Sequence, residues 1–252
     1  MDDARMMDWL IALHAGLPRL GPGSDTATRR ALADCVGLPA VPEILDVGCG
    51  SGASSLVLAE ATAGRITAVD RVPLFLRELR IRAQARGLDG RIHPLVADMH
   101  ALPFRSAAFD LIWSEGAIYI MGFDAGLTHW HSLLRPRGWL VVSELSWLTD
   151  HPPADLRDYW REGYPGMRNV ADNLAAASSL GWEPVGHFPL SADAWTIDYS
   201  GPLQARLPSF RAAHADDPDA QAVADMTEQE IALMTDAAGT CGYVFYILRR
   251  IG

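Results

Sequence analysis

The stretch DVGCGSGASS, residues 46–55, sets Gly48, Gly50 and Gly52 at alternate positions directly after the apolar run EILDV. Glycines so spaced between a strand and a helix let the backbone approach a ligand closely, and Gly48, Gly50 and Ala53 satisfy the dinucleotide pattern G-x-G-x-x-[GA]. Carboxylates narrow the choice of ligand. Asp46 ends the strand before the turn, Asp70 ends the next strand (RITAVD) and Asp98 the third (RIHPLVAD). A pyrophosphate at the helix N-terminus would be repelled by Asp46, whereas a ligand carrying an ammonium and a sulfonium gains from it. Asp70 can accept from both hydroxyls of a ribose, and Asp98 from an exocyclic adenine amine. Together the three carboxylates favour S-adenosylmethionine over a nicotinamide dinucleotide.

These residues need a scaffold that brings strand ends together, and the chain alternates strand-like and helix-like pieces. Met6, Trp9, Leu10 and Leu13 repeat at helical spacing, and Ser24 is placed to cap a helix running to Cys35, with Gly37 as its stop. Strands are predicted at 43–47, 65–70, 91–98, 109–114, 139–145, 182–190 and 243–250. Helices are predicted after the glycine turn, from Pro73 to Arg86, at 124–134, within the proline-flanked piece 150–165 and at 170–180, with RPRG (135–138) as a loop. Strands alternating with helices predict an α/β fold with a doubly wound, mostly parallel sheet. We expect one domain over 1–252: an N-terminal helical cap (1–40), a cofactor-binding core (41–145) and a helical insertion before the last strand (191–241), which acts as a substrate lid.

Composition excludes several functions. A formal net charge of −10 and a pI near 5.2, with no cluster of basic residues, argue against nucleic acid as a partner. Cys35, Cys49 and Cys241 are far apart and form no CxxC pair, so neither a disulfide framework nor a zinc site is expected. The N-terminus opens on two aspartates, unlike an export signal, and no apolar run suits a membrane span, so a cytoplasmic protein is expected. His129 and His131 are two apart on a helix and do not share a face, so no metal is expected there. The segment from Asp216 to Glu230 reads as a solvated acidic face, and His93, Trp113, Trp139 and Trp182 as structural residues.

The segments ILDVGCGSG, TAVD, VADMHALPF, FDLIWSEGAIYIMGF and LLRPRGWLVVSE, in that order, resemble the class I S-adenosylmethionine-dependent methyltransferases, of the type similar to ubiquinone and menaquinone biosynthesis methyltransferases (methyltransferase type 11). RLGPGS, WSEGAIY, the SW of ELSW and GYVFYI are similar to a bacterial and archaeal subgroup of small-molecule methyltransferases. The resemblance implies a seven-stranded Rossmann-like sheet of order 3-2-1-4-5-7-6 with the last strand antiparallel. It implies that Gly48 and Gly50, in the turn with Cys49 and Gly52, underlie the methionine part of the cofactor. Asp70 then holds the ribose with Arg71 along the adenosine, Asp98 and Met99 bind adenine, and Ser114 and Glu115 lie beside the transferable methyl. Arg19 and the GPGS turn either close over the cofactor carboxylate or simply begin a helix.

Methyl transfer from a sulfonium asks mainly that the nucleophile be held in line and water excluded. A base is needed only for a protonated acceptor, and Glu115 leads the candidates ahead of Tyr119, His151 and Tyr164, with an anchoring role as its alternative. Trp147, Trp195 and Tyr199 fall in loops or in the insertion and, with Tyr119, His151 and Tyr164, are the expected acceptor-binding residues. The expected acceptor is a small molecule, and a homodimer through the lid elements is plausible. Competing readings are an NAD-dependent oxidoreductase and a non-catalytic S-adenosylmethionine-binding protein, the latter predicting no open cavity beside Glu115.

Overall fold

The apolar runs become strands whose alternate residues serve two different cores. Ile44, Leu111, Trp113, Val141, Phe245 and Ile247 belong to one buried cluster, while their neighbours Leu45, Ile112, Leu140, Val142, Val244 and Tyr246 belong to the other. Both faces of the sheet are covered, which is why these strands read as continuous apolar stretches. The computed structural model describes residues 1–252.

Strands β1 (Glu43–Val47), β2 (Arg65–Asp70), β3 (Ile92–Val96), β4 (Phe109–Glu115) and β5 (Leu134–Trp147) pair in parallel. A two-residue strand β6 (Arg168–Asn169) joins the far end of β5, and β7 (Trp182–Pro189) and β8 (Cys241–Arg250) complete the sheet. β8 runs antiparallel to both β5 and β7, and the order is β3-β2-β1-β4-β5-β8-β7. Set β6 aside and this is the expected 3-2-1-4-5-7-6. The unexpected strand β6 is too short to leave a periodic signal. RPRG is a second departure: β5 begins at Leu134 and takes these residues in as a bulge, with Arg137 at φ 64 and a register break between Phe109 and Leu111 of β4. β3 stops at Val96, so Asp98 lies in the turn beyond it.

Helices α2 (Asp25–Ala33), α3 (Ala53–Ala61) and α4 (Pro73–Ala85) cover the first face, and α5 (Phe123–His131) and α7 (Val170–Ser179) the second. The Ser24 hydroxyl caps α2 by accepting from the Ala27 amide, as its position predicted. The chain over 191–241 forms α8 (Ala192–Trp195), a π-helical turn at Thr196–Ser200, α9 (Gly201–Ala213) and α10 (Pro218–Asp236), while α6 (Ala154–Gly163) precedes β6. Helices α9 and α10 lie off both faces of the sheet, and α10 meets only its end, where Leu233 and Met234 join Cys241 and Trp147. They enclose a third apolar cluster with α1 (Asp3–His14), built on Leu13, Leu203, Leu207, Phe210 and Val223. None of these helices is long and apolar enough to cross a membrane.

Gly52 shows how tightly the core is set against the glycine turn. It begins α3 at φ +82, and a Cβ there would lie 2.0 Å from Leu79 Cδ1 of α4. Left-handed strain and overpacking then act together, so Gly52→Ala should lose about 2–4 kcal/mol of stability. Urea denaturation checks this; an unchanged midpoint would show that α4 yields freely.

Candidate active site

The carboxyl ends of β1, β2, β3 and β4 open onto a cavity of about 880 Å³. Its floor is the glycine turn with Asp70, Arg71, Asp98, Met99 and Glu115, and its roof comes from α1, Arg19 to Pro22, and the 191–241 segment. Gly48, at φ +71, is pressed against Ala117, where a Cβ would come within 2.4 Å of the alanine methyl. The backbone is therefore bare towards the cavity. Asp70 accepts the amides of Gly50 (2.9 Å) and Val72 (2.8 Å), one on each oxygen, which braces the carboxylate across the turn. Burial raises its pKa. Asp98 accepts the backbone amide and ring nitrogen of His100 at 2.9 and 2.8 Å, and those bonds lower its pKa. Cys49 lines the cavity as a buried free thiol.

Glu115 sits at the cavity wall with its carboxylate already committed. Oε1 accepts the Thr28 hydroxyl (2.6 Å) and Trp113 Nε1 (2.8 Å), and Oε2 accepts Arg19 at 3.2 Å. The side chains of Arg19 and Glu115 are 8% and 7% exposed. Proton uptake would break the buried half of the Arg19 ion pairing and compete with the Thr28 and Trp113 donors, so the geometry favours the anchoring alternative for Glu115 over a general base. Arg19 also reaches Asp25 at 2.8 Å, tying the turn before α2 to the end of β4.

Strand alternation corrects two further expectations, and packing at the start of α3 a third. Asp46 shares its face with Ile44, so it points at the first turn of α3 and not into the cavity. It is fully buried and accepts the hydroxyls of Ser54 (2.9 Å) and Ser55 (2.6 Å). Burial pushes its pKa up to about 7. Ser114 falls on the opposite face from Glu115 and is also fully buried, outside the cavity lining. Gly52 packs on Leu79. Two acceptor-site expectations fail as well: Trp147 belongs to β5 and, with His151, borders a separate shallow groove beside Asn169.

Tyr119, Tyr164, Trp195 and Tyr199 do meet in the cavity, together with residues that sequence reasoning missed. His14 Nδ1 donates to the Leu10 carbonyl at 2.8 Å, which leaves Nε2 to accept the Tyr199 hydroxyl at 3.3 Å. Burial lowers its pKa, so the ring is neutral. Tyr243, from the last strand, and Glu230 also line the cavity. Glu230 is the exception in the acidic segment. Asp217 and Asp219 pair with Arg5, and Asp225 and Glu228 pair with Arg211. The turn that sets Glu230 inward follows from the packing of α10 on α1 and carries no local mark.

Residues 44–138 match the family described as a methyltransferase domain. That match takes in the glycine turn, Asp70, Asp98 and Glu115. The chain is 29% identical over 142 residues to the uncharacterized methyltransferase YodH of Bacillus subtilis, covering 56% of this chain and 59% of that protein. It is 30% identical over 156 residues to the demethylmenaquinone methyltransferase of Mycolicibacterium gilvum, covering 61% of this chain and 64% of that one. The chain thus spans less than two thirds of the length of these curated relatives. The fold is also that of an S-adenosylmethionine-dependent methyltransferase from Thiobacillus denitrificans solved with S-adenosyl-L-homocysteine, with a TM-score of 0.81 and 21% identity over 99% of this chain and 100% of the other.

Two measurements test the electrostatics. Arg19→Met should cost about 3 kcal/mol by stranding Glu115, and much less in a Glu115→Gln background; equal losses in both would remove the pair from the account. Asp46 binds a proton in the native state between its ordinary value of 3.8 and about 7 that the unfolded chain does not bind. Its contribution is complete below about pH 4 and is lost as pH rises through 7, so Asp46→Asn should flatten the fall in stability over that interval, read by thermal melting across pH.

Proposed function

We propose that the protein is an S-adenosylmethionine-dependent methyltransferase acting on a small-molecule acceptor. The observation that carries this reading is the pairing of a glycine turn that admits no Cβ at Gly48 with two cavity-facing carboxylates, Asp70 and Asp98. S-adenosylmethionine, when bound, supplies a methyl activated by a sulfonium. Gly48, Cys49 and Gly50 would underlie its amino-acid part, Asp70 would accept from the ribose diol with Arg71 alongside, and Asp98 and Met99 would flank adenine. Because Asp70 uses one lone pair of each oxygen on backbone amides, it offers the diol acceptors that are already oriented.

The remainder of the cavity supports an enzyme over a non-catalytic binder. About 880 Å³ lies near the top of the range for single small-ligand sites, and the space continues past Glu115 towards Tyr119 and the roof helices. In this reading residues 1–40 and 191–241 act as cap and lid over the 41–145 core, excluding water while Tyr119, Tyr164, Trp195 and Tyr199 hold the acceptor. The apolar side of the lid is consumed within the chain, between α1, α9 and α10, and so lends no support to a homodimer through these elements.

Calorimetric titration with S-adenosylmethionine and S-adenosylhomocysteine tests the proposal. Both should bind, Asp70→Ala should weaken them at least about tenfold, and NAD should give no heat. Binding of NAD alone would replace the reading with a dinucleotide-dependent oxidoreductase.

A further inference from the structure

The acceptor half of the cavity has a chemistry of its own. Tyr119, Tyr164, Tyr199, Tyr243 and Trp195 line it together with one carboxylate, Glu230. Their rings lie close together: Tyr119 and Tyr164 are 6.2 Å apart between centroids, and Trp195 and Tyr243 are 5.6 Å apart. Glu230 has no ion-pair or hydrogen-bond partner, although it lies near enough to Tyr119, Tyr199 and Tyr243 to act on their hydroxyls electrostatically. Glu230 stays open to solvent through the cavity, whose walls alone raise its pKa. Behind Tyr164 a second carboxyl, Glu144, is 1% exposed, with the Tyr164 hydroxyl and the Arg168 guanidinium acting on it.

Arg168 acts on Glu144, but no cation of the protein pairs with Glu230. The cavity's own basic residues are Arg19, Arg71, His14 and His100. Arg19 is held by Glu115 and Asp25, Arg71 lies beside Asp70 on the glycine-turn side, and His100 is bonded to Asp98. His14 is neutral, with its pKa lowered by burial. All 21 basic residues of the chain are arginines, so no lysine ammonium can swing in. An unpaired carboxylate among five aromatic rings is a site for an organic cation, which gains both the ion pair and cation–π attraction.

We infer that the acceptor is an amine, methylated on nitrogen, and that the positive charge its nitrogen gains in the reaction is held by Glu230 within the ring of Tyr119, Tyr164, Tyr199, Tyr243 and Trp195. The inference rests on the methyltransferase reading above and names its substrate class. Chemically the fit is with the transition state. The nitrogen lone pair forms the new bond to the methyl carbon, the carbon–sulfur electron pair stays with sulfur, and positive charge moves onto nitrogen. Negative and aromatic groups placed where that charge develops stabilise the transition state more than the neutral amine. The amine reacts as its free base, its ammonium proton left to solvent before the lone pair attacks, and a tertiary amine then gives a quaternary product with no further proton to remove, so Glu115 need not act as a base.

The test uses benzyltrimethylammonium and its uncharged carbon isostere neopentylbenzene, titrated into the full chain saturated with S-adenosylhomocysteine. The cation should bind at least tenfold tighter than the isostere. Glu230→Gln should remove most of that preference while S-adenosylhomocysteine affinity stays the same, which also shows that the variant is folded. Equal affinities, no binding of either probe, or a preference that survives Glu230→Gln would overturn the amine assignment. Loss of S-adenosylhomocysteine binding in the unmodified protein would instead overturn the cofactor reading, so the two failures are distinct.

Discussion

The buried contact between Arg19 and Glu115 is the joint on which the cavity depends. Arg19 comes from the turn between the first two helices and Glu115 from the end of the fourth strand, so their 3.2 Å contact fastens the N-terminal cap to the sheet. A buried ion pair is a poor source of net stability because both ions lose water. Its value here is positional. Thr28 and Trp113 fill the remaining acceptor sites on Glu115, and Asp25 takes the second face of Arg19, so each member has one satisfied arrangement. With the cap so fixed, α1 becomes the surface on which α9 and α10 assemble.

That assembly separates the molecule into two regimes. The sheet and its covering helices form a conventional core, in which Trp113, Trp130 and Trp182 are fully buried. The roof is a smaller cluster made of elements distant in sequence, with Leu13 of the first helix against Leu207 and Phe210 of the ninth. The cavity lies between these two cores. It inherits a backbone-rich, hydrogen-bonding floor from the strand ends and an aromatic, largely apolar roof from the insertion. Under the methyltransferase activity proposed above, the floor would take the constant polar ligand and the roof the variable acceptor.

Much of the floor was legible in the residues. The strand boundaries at 43–47 and 65–70 coincide with the observed ones, because apolar runs ending in glycine or aspartate constrain both period and end. Asp70 and Asp98 were placed at the site for the same reason. Asp46 was not, because a strand-end position gives depth along the sheet but not face, and alternation turned it towards Ser54 and Ser55. Glu115 was found, but its partners were not: no local pattern connects it to Arg19 and Thr28, which lie 96 and 87 residues away.

The sequence by itself determined the class of sheet, the glycine turn and the carboxylates that follow it, since these depend on periodicity and on residues within a few positions of each other. Only the tertiary structure decided that Glu230 leaves the solvated acidic run to face the cavity, that His14 joins Tyr199, and that Tyr243 of the last strand meets Trp195. The physical reason is one of range. Backbone propensity and hydrophobic period act over a turn or a strand, whereas the acceptor wall is set by how two separate apolar cores pack, and any residue brought to that seam acquires a role its neighbours in sequence do not share.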